Sequence, residues 1–151
     1  MAVIALASAS GSPGVTTTAL GLALLWPRPV LLVDADPTGG SSLLAGYFRG
    51  TRGDEAGVVG PGLTARRLPG GLAPIAHRPQ IAQRIEGTTV SFVAGTRSHT
   101  QAPALRDLWQ PLAEELADLE STGQDVIVDA GRLGLLGSPE PLLTNADLTL
   151  L

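Results

Sequence analysis

At 151 residues, with a net charge of −4 and no basic run, the chain is one domain's worth of sequence and offers no charged patch for direct nucleic-acid binding. It has no cysteine, which excludes disulfides, thiolate metal sites and a cysteine nucleophile, and its two histidines, His77 and His99, are too few for a histidine metal cluster. All ten basic residues are arginines, so chemistry that requires a lysine is excluded as well.

The hydrophobic fraction of 44% against 16% charged residues is enough for a buried core and leaves a weakly charged surface suited to self-association or a partner. The opening MAVIALASAS has the outline of a signal peptide but lacks the positive n-region, and its apolar core is too short. No apolar stretch approaches the length of a membrane span. The expectation is a cytoplasmic protein whose first apolar run is a buried strand.

In chain order, residues 2–7 are apolar without alternation, as in a central parallel strand covered on both faces. A small-residue loop, 8–14, leads to a helix over 16–26 that Pro27 stops. Residues 30–33 form a second apolar strand ending in Asp34-Ala35-Asp36-Pro37, and a short helix is expected over 41–48. Residues 49–71, rich in Gly, Pro and Arg, read as a flexible surface loop, and 75–85 as a helix interrupted at Pro79. A β-rich strand covers 88–94. Over 104–119, Leu105, Leu108, Leu112, Leu116 and Leu119 recur at helical spacing and predict an amphipathic helix. Residues 125–128 are another strand running into Asp129, 140–144 a helical turn, and 147–151 a last strand. Because the chain stops inside that apolar run, a truncated C-terminus is expected.

Strands alternating with helices imply a parallel sheet with right-handed crossovers, whose ligand lies at the strands' C-terminal ends. Three of those ends carry chemistry here. After the first strand come Ala9-Ser10-Gly11-Ser12-Pro13-Gly14-Val15-Thr16-Thr17. Small residues let backbone amides converge on an anion, and the following helix adds its N-terminal dipole. In the P-loop pattern G-x-x-x-x-G-K-[ST], Gly14 and Thr16 match, Ala9 stands at the first glycine and Val15 replaces the lysine. The other two ends carry Asp34-x-Asp36 and Asp129. The plain structural alternatives are a tight ligand-free turn over 11–18, capping roles for Asp34, Asp36 and Asp129, and a solvated loop position for Arg132.

The loop resembles the deviant Walker A of ParA/MinD-type P-loop ATPases of the SIMIBI class, K-G-G-x-G-K-T-T. On that pattern Ser10 and Val15 stand at the two lysines, Gly11, Ser12, Pro13 and Gly14 at the turn, and Thr16 and Thr17 at the hydroxyls. VLLVDADPTGGSSLL, 30–44, is similar to the family's strand ending in D-x-D-P-x-G, and DVIVD, 125–129, to its Walker B strand. The resemblance implies an α/β three-layer P-loop NTPase-like fold, a mainly parallel sheet flanked by helices, in a single domain over 1–151. It implies ATP and Mg2+ as ligands. The nucleotide would lie on Gly11, Ser12, Pro13, Gly14, Val15, Thr16 and Thr17, and the metal near Thr16, Asp34 and Asp129. Asp36 would be the carboxylate that positions or activates the attacking water.

Both lysines of the pattern are missing. Losing one charge-assisted contact costs roughly 1.5–3 kcal/mol, about ten- to hundredfold in affinity. Three functions stay open. The first is a degenerate ParA/MinD-like protein, with weak or absent ATP binding and hydrolysis, regulatory in partitioning, positioning or pilus and secretion assembly. The second is an active Mg-dependent ATPase in which backbone amides and an arginine, with Arg132 nearest in sequence, replace the lysines. The third is an interaction scaffold without nucleotide. The resemblance further implies a homodimer across the loop face, a protein partner, and indirect DNA or peripheral membrane association, the last through a helix beyond Leu151.

Overall fold

The run VIALAS, Val3–Ser8, forms β1, buried along its whole length. It lies at the centre of a computed structural model that describes residues 2–10, 14–39, 82–96, 98–119 and 123–151. Gly14, at φ 127°, opens helix α1, Val15–Leu25. The helix ends because Trp26 precedes Pro27 and is driven to extended backbone (φ −66°, ψ 132°). Strand β2, Val30–Asp34, follows, also buried throughout. β3, Ala82–Arg84, and β4, Val90–Val93, form a hairpin, closed by a bond from Ile85 N–H to Val90 O of 2.8 Å. A 3-10 segment, Ala102–Leu108, runs into α2, Trp109–Asp118. Then come β5, Asp125–Arg132, α3, Glu140–Thr144, and β6, Leu148–Leu150.

The sheet order is β3-β4-β2-β5-β1-β6, with β3 antiparallel to β4 and the other five strands parallel. A parallel sheet needs cover on both faces, and the core divides accordingly. One cluster packs Ile4, Leu6, Leu32, Phe92 and Ile127 against Ala19 and Ala23 of α1. The other packs Val3, Ala5, Leu31, Val33, Val126 and Val128 against Leu105, Leu108, Trp109, Leu112, Leu116 and Leu142. This is the expected three-layer α/β architecture. Among the described residues no helix is long and apolar enough to cross a membrane.

At the N-terminal edge of the sheet the buried carboxylate of Asp125 collects four donors. They are Ala2 N–H (2.8 Å), Trp26 Nε1 (2.7 Å), Arg28 Nε (2.9 Å) and Arg28 Nη2 (2.5 Å). Burial, the largest influence, would raise its pKa. The hydrogen bonds from Trp26, Arg28 and Ala2, with the Arg28 charge, outweigh it and hold the carboxyl below its ordinary range.

Two elements differ from the sequence expectation. Residues 82–84 are strand rather than the end of a helix, because pairing with β4 satisfies their backbone. The leucine-rich helix begins as 3-10 turns. Pro111 has no N–H to give the Asp107 carbonyl, so regular α-helical bonding starts only around it. The five leucines of the helical stripe are all buried. The helix expected over 41–48, the loop over 49–71, His77 and most of 75–85 lie outside the described residues.

Candidate functional site

β1 and β5 are direct neighbours, with Leu6 opposite Asp129 and Ser8 opposite Arg132. Between those two pairs β5 uses one residue more than β1, and Gly131, at φ 61°, absorbs the bulge. β2 lies on the other side of β5, with Asp34 opposite Asp129. Sheet order therefore brings the loop after β1, the Asp-x-Asp after β2 and Asp129 to one rim, as parallel sheets do.

Asp129 is fully buried. Its Oδ1 accepts the Gly131 N–H at 3.1 Å, and the Thr16 side chain hydrogen-bonds the same carboxylate from the first turn of α1. Oδ2 is buried with no close hydrogen-bond partner among the described residues. Burial raises the Asp129 pKa above its ordinary value. The Thr16 and Gly131 bonds oppose that rise, and the nearby Asp36 charge adds to it. A buried carboxylate with an unused oxygen and a hydroxyl alongside is a donor set that a hard divalent cation fits.

Asp34 is also buried, and its Oδ1 accepts the Asp36 N–H at 3.3 Å. It sits against Gly95, where an added Cβ would come within 2.8 Å of its Cγ. Asp36 is half-buried. Its Oδ1 accepts both the N–H and the hydroxyl of Thr38 at 2.8 Å, so Asp36 does cap its own turn, as the plain structural alternative expects. Its carboxylate also lies where a side chain on Gly131 would be.

Of the expected nucleotide-binding residues, Gly11, Ser12 and Pro13 lie outside the described residues. Gly14 and Thr17 are exposed, while Val15 is half-buried and packs on the α1-side core. The Gly14 carbonyl accepts the Thr18 N–H at 2.7 Å, the first bond of the helix. A cleft of about 470 Å3 runs from Ser8 and Ser10 past Gly14, Val15 and Thr18 to Leu150. The structure thus gathers Thr16, Asp34, Asp36 and Asp129. Sequence reasoning missed Gly95 and Gly131, which make room for two of the carboxylates. The available signal was the Ala-Gly that follows Val93 and Asp129 at the two strand ends.

No protein-family model matches the chain, and no curated protein resembles it in sequence. Solved structures do resemble it in fold. The cell division ATPase MinD of Pyrococcus furiosus is 18% identical, over 98% of this chain and 57% of that one, with a TM-score of 0.69. A Cyanothece McdA variant in complex with ATP is 18% identical, over 99% and 55%, with a TM-score of 0.68. Cobyrinic acid a,c-diamide synthase of Mycobacterium smegmatis, with bound ADP and magnesium, is 24% identical, over 100% and 60%, with a TM-score of 0.62. The chain spans somewhat over half the length of these proteins. At such identities the likeness establishes the fold, that of ParA-type and related P-loop NTPases.

Proposed function

We propose that this chain is a ParA/MinD-like P-loop protein with a degenerate phosphate loop. It binds a magnesium–adenine nucleotide weakly, turns it over slowly, and serves a regulatory role in partitioning, positioning or pilus and secretion assembly. The observation that carries this reading is the contact between the Thr16 side chain and the buried Asp129 carboxylate, one oxygen of which has no close partner, at the mouth of α1. Fold neighbours with bound ATP, or ADP and magnesium, support the ligand class.

Among the described residues no group of three or more acidic or histidine side chains forms a free-standing metal cage. Magnesium usually takes one or two carboxylates and completes its shell with phosphate and water, which suits a site loaded together with its nucleotide. Thr16 and Asp129 would hold the ion, with Asp34 behind them. When bound, magnesium supplies charge neutralisation for the phosphates. The amides of the 11–17 loop and the dipole of α1 hold the phosphates. The cleft beside Gly14, Val15, Thr18 and Leu150 takes the nucleoside end. Asp36 orients the attacking water. The low charged fraction supports a homodimer and a protein partner.

Calorimetric titration of wild type and Val15→Lys with magnesium-ATP tests this. We expect weak binding by wild type and binding about ten- to hundredfold tighter by Val15→Lys. Silence from both folded proteins at millimolar nucleotide overturns the nucleotide reading and leaves an interaction scaffold. A second reading, an active Mg-dependent ATPase, is favoured by the retained Asp36 beside Asp129. Tight wild-type binding with sustained turnover selects it.

A further inference from the structure

We infer that Arg132 supplies the positive charge that the loop's missing lysines would have brought, acting on the terminal phosphate of the bound nucleotide. The inference rests on the nucleotide-site reading above. A phosphate site normally combines converging amides with at least one cation, and the chain contains no lysine at all.

Three arginines have described side chains, Arg28, Arg106 and Arg132. Arg28 is engaged with Asp125 at the opposite edge of the sheet. Arg106 lies on the 3-10 segment that covers the face away from α1. Arg132 alone of the three stands at the phosphate-loop rim. It pairs in register with Ser8, the last residue of β1, and the next residue ties the two strands through a bond from Leu133 N–H to Ser8 O of 2.9 Å. The side chain is exposed, and among the described residues no carboxylate pairs with it.

The bulge at Gly131 gives this placement a physical origin. A regular β5 would continue its alternation past Asp129. The extra residue at φ 61° instead breaks the alternation and sets Arg132 opposite Ser8. Arg132 is three residues beyond Asp129 on the same strand, and so on the same side of β1 as the Asp129 carboxylate. The nucleoside cleft lies on the other side of β1, towards Leu150. A cation on the metal side meets the terminal phosphate rather than the base. Guanidinium also suits a phosphate, because its planar fork makes paired charge-assisted hydrogen bonds.

The test is calorimetric titration of wild type, Arg132→Ala and Arg132→Lys with magnesium-ATP and, separately, magnesium-ADP. Arg132→Ala is expected to weaken ATP binding about tenfold or more and ADP binding by less than about threefold, while Arg132→Lys keeps most of the ATP affinity. ATP binding by Arg132→Ala equal to wild type overturns the inference and leaves the nucleotide site standing. So does an equal loss for ATP and ADP with a lowered melting temperature, the mark of a structural role. Wild type that binds neither nucleotide overturns both readings.

Discussion

The carboxylate of Asp36 lies in the space that a side chain on Gly131 would require. Asp36 lies two residues past the end of the second strand and Gly131 sits in the bulge of the fifth, so one glycine lets the two strand ends close on each other. Gly131→Ala meets two obstacles, the positive φ of 61° and the displaced carboxylate. A strained φ of this kind costs about 1–3 kcal/mol. Urea unfolding of Gly131→Ala is expected to show a loss in that range, with hydrolysis of bound nucleotide slowing as Asp36 is displaced. An unchanged midpoint would show that the bulge relaxes freely.

Asp129 gives a pH signature of opposite sign to an ordinary ion-paired carboxylate. Burial raises its folded pKa above the unfolded value of 3.8. The folded state therefore binds more protons, and stability falls as pH rises from about 3.8 through the folded pKa. Asp129→Asn removes the charge and keeps an oxygen for Gly131 and Thr16. In nucleotide-free protein the variant should match wild type in acid and become the more stable of the two as pH rises towards neutrality. Melting curves across that range decide it, and a variant less stable at neutral pH would show that the ionised carboxylate is well solvated.

Much of this arrangement was legible in the sequence, and the exceptions share a cause. Three of the parallel strands announced themselves because a strand buried on both faces must be apolar at every position, as 3–7, 30–33 and 126–128 are, and 90–93 was readable with one break at the half-buried Ser91. Asp34 and Asp129 stood out because a carboxylate at the end of such a run is out of place unless it is used. Strand 82–84 was hidden because its pairing partner, not its own residues, makes it a strand. Pro111 was visible, but how far it would delay regular helix depended on packing. The Ala-Gly after Asp129 marks a strand end, but why position 131 needs a glycine comes from Asp36, far away in the chain.

At the other end of the sheet, Arg28→Ala should expose the opposite linkage. Asp125 is 1% exposed and keeps Trp26 and Ala2 as donors, but it loses its charged partner. Hydrogen bonds to a charged group contribute about 1.5–3 kcal/mol. Since half of the Arg28 side chain is exposed, solvent screening puts the expected loss nearer the lower end, about 1–2 kcal/mol at neutral pH. The folded pKa of Asp125 lies below 3.8, so its contribution is present above that value and disappears as pH falls through the folded pKa. The stability gap between wild type and Arg28→Ala should narrow in acid. A gap independent of pH would assign the effect to lost packing of the arginine stem.

Asp36 separates binding from chemistry. Its Oδ1 is tied to Thr38, which fixes the carboxylate beside Asp129. Asp36→Ala should therefore leave magnesium-ATP affinity within about threefold of wild type, less than one charge-assisted contact. A positioned general base contributes about 10²–10⁴ in rate. Single-turnover hydrolysis of bound ATP should accordingly fall by at least about a hundredfold in Asp36→Ala, with Thr38→Val showing a smaller fall because it removes only one of the two bonds that hold the carboxylate. Equal slow hydrolysis in wild type and Asp36→Ala would mean that Asp36 serves its turn alone, and that turnover in this protein comes from the phosphate loop and the metal side of the site.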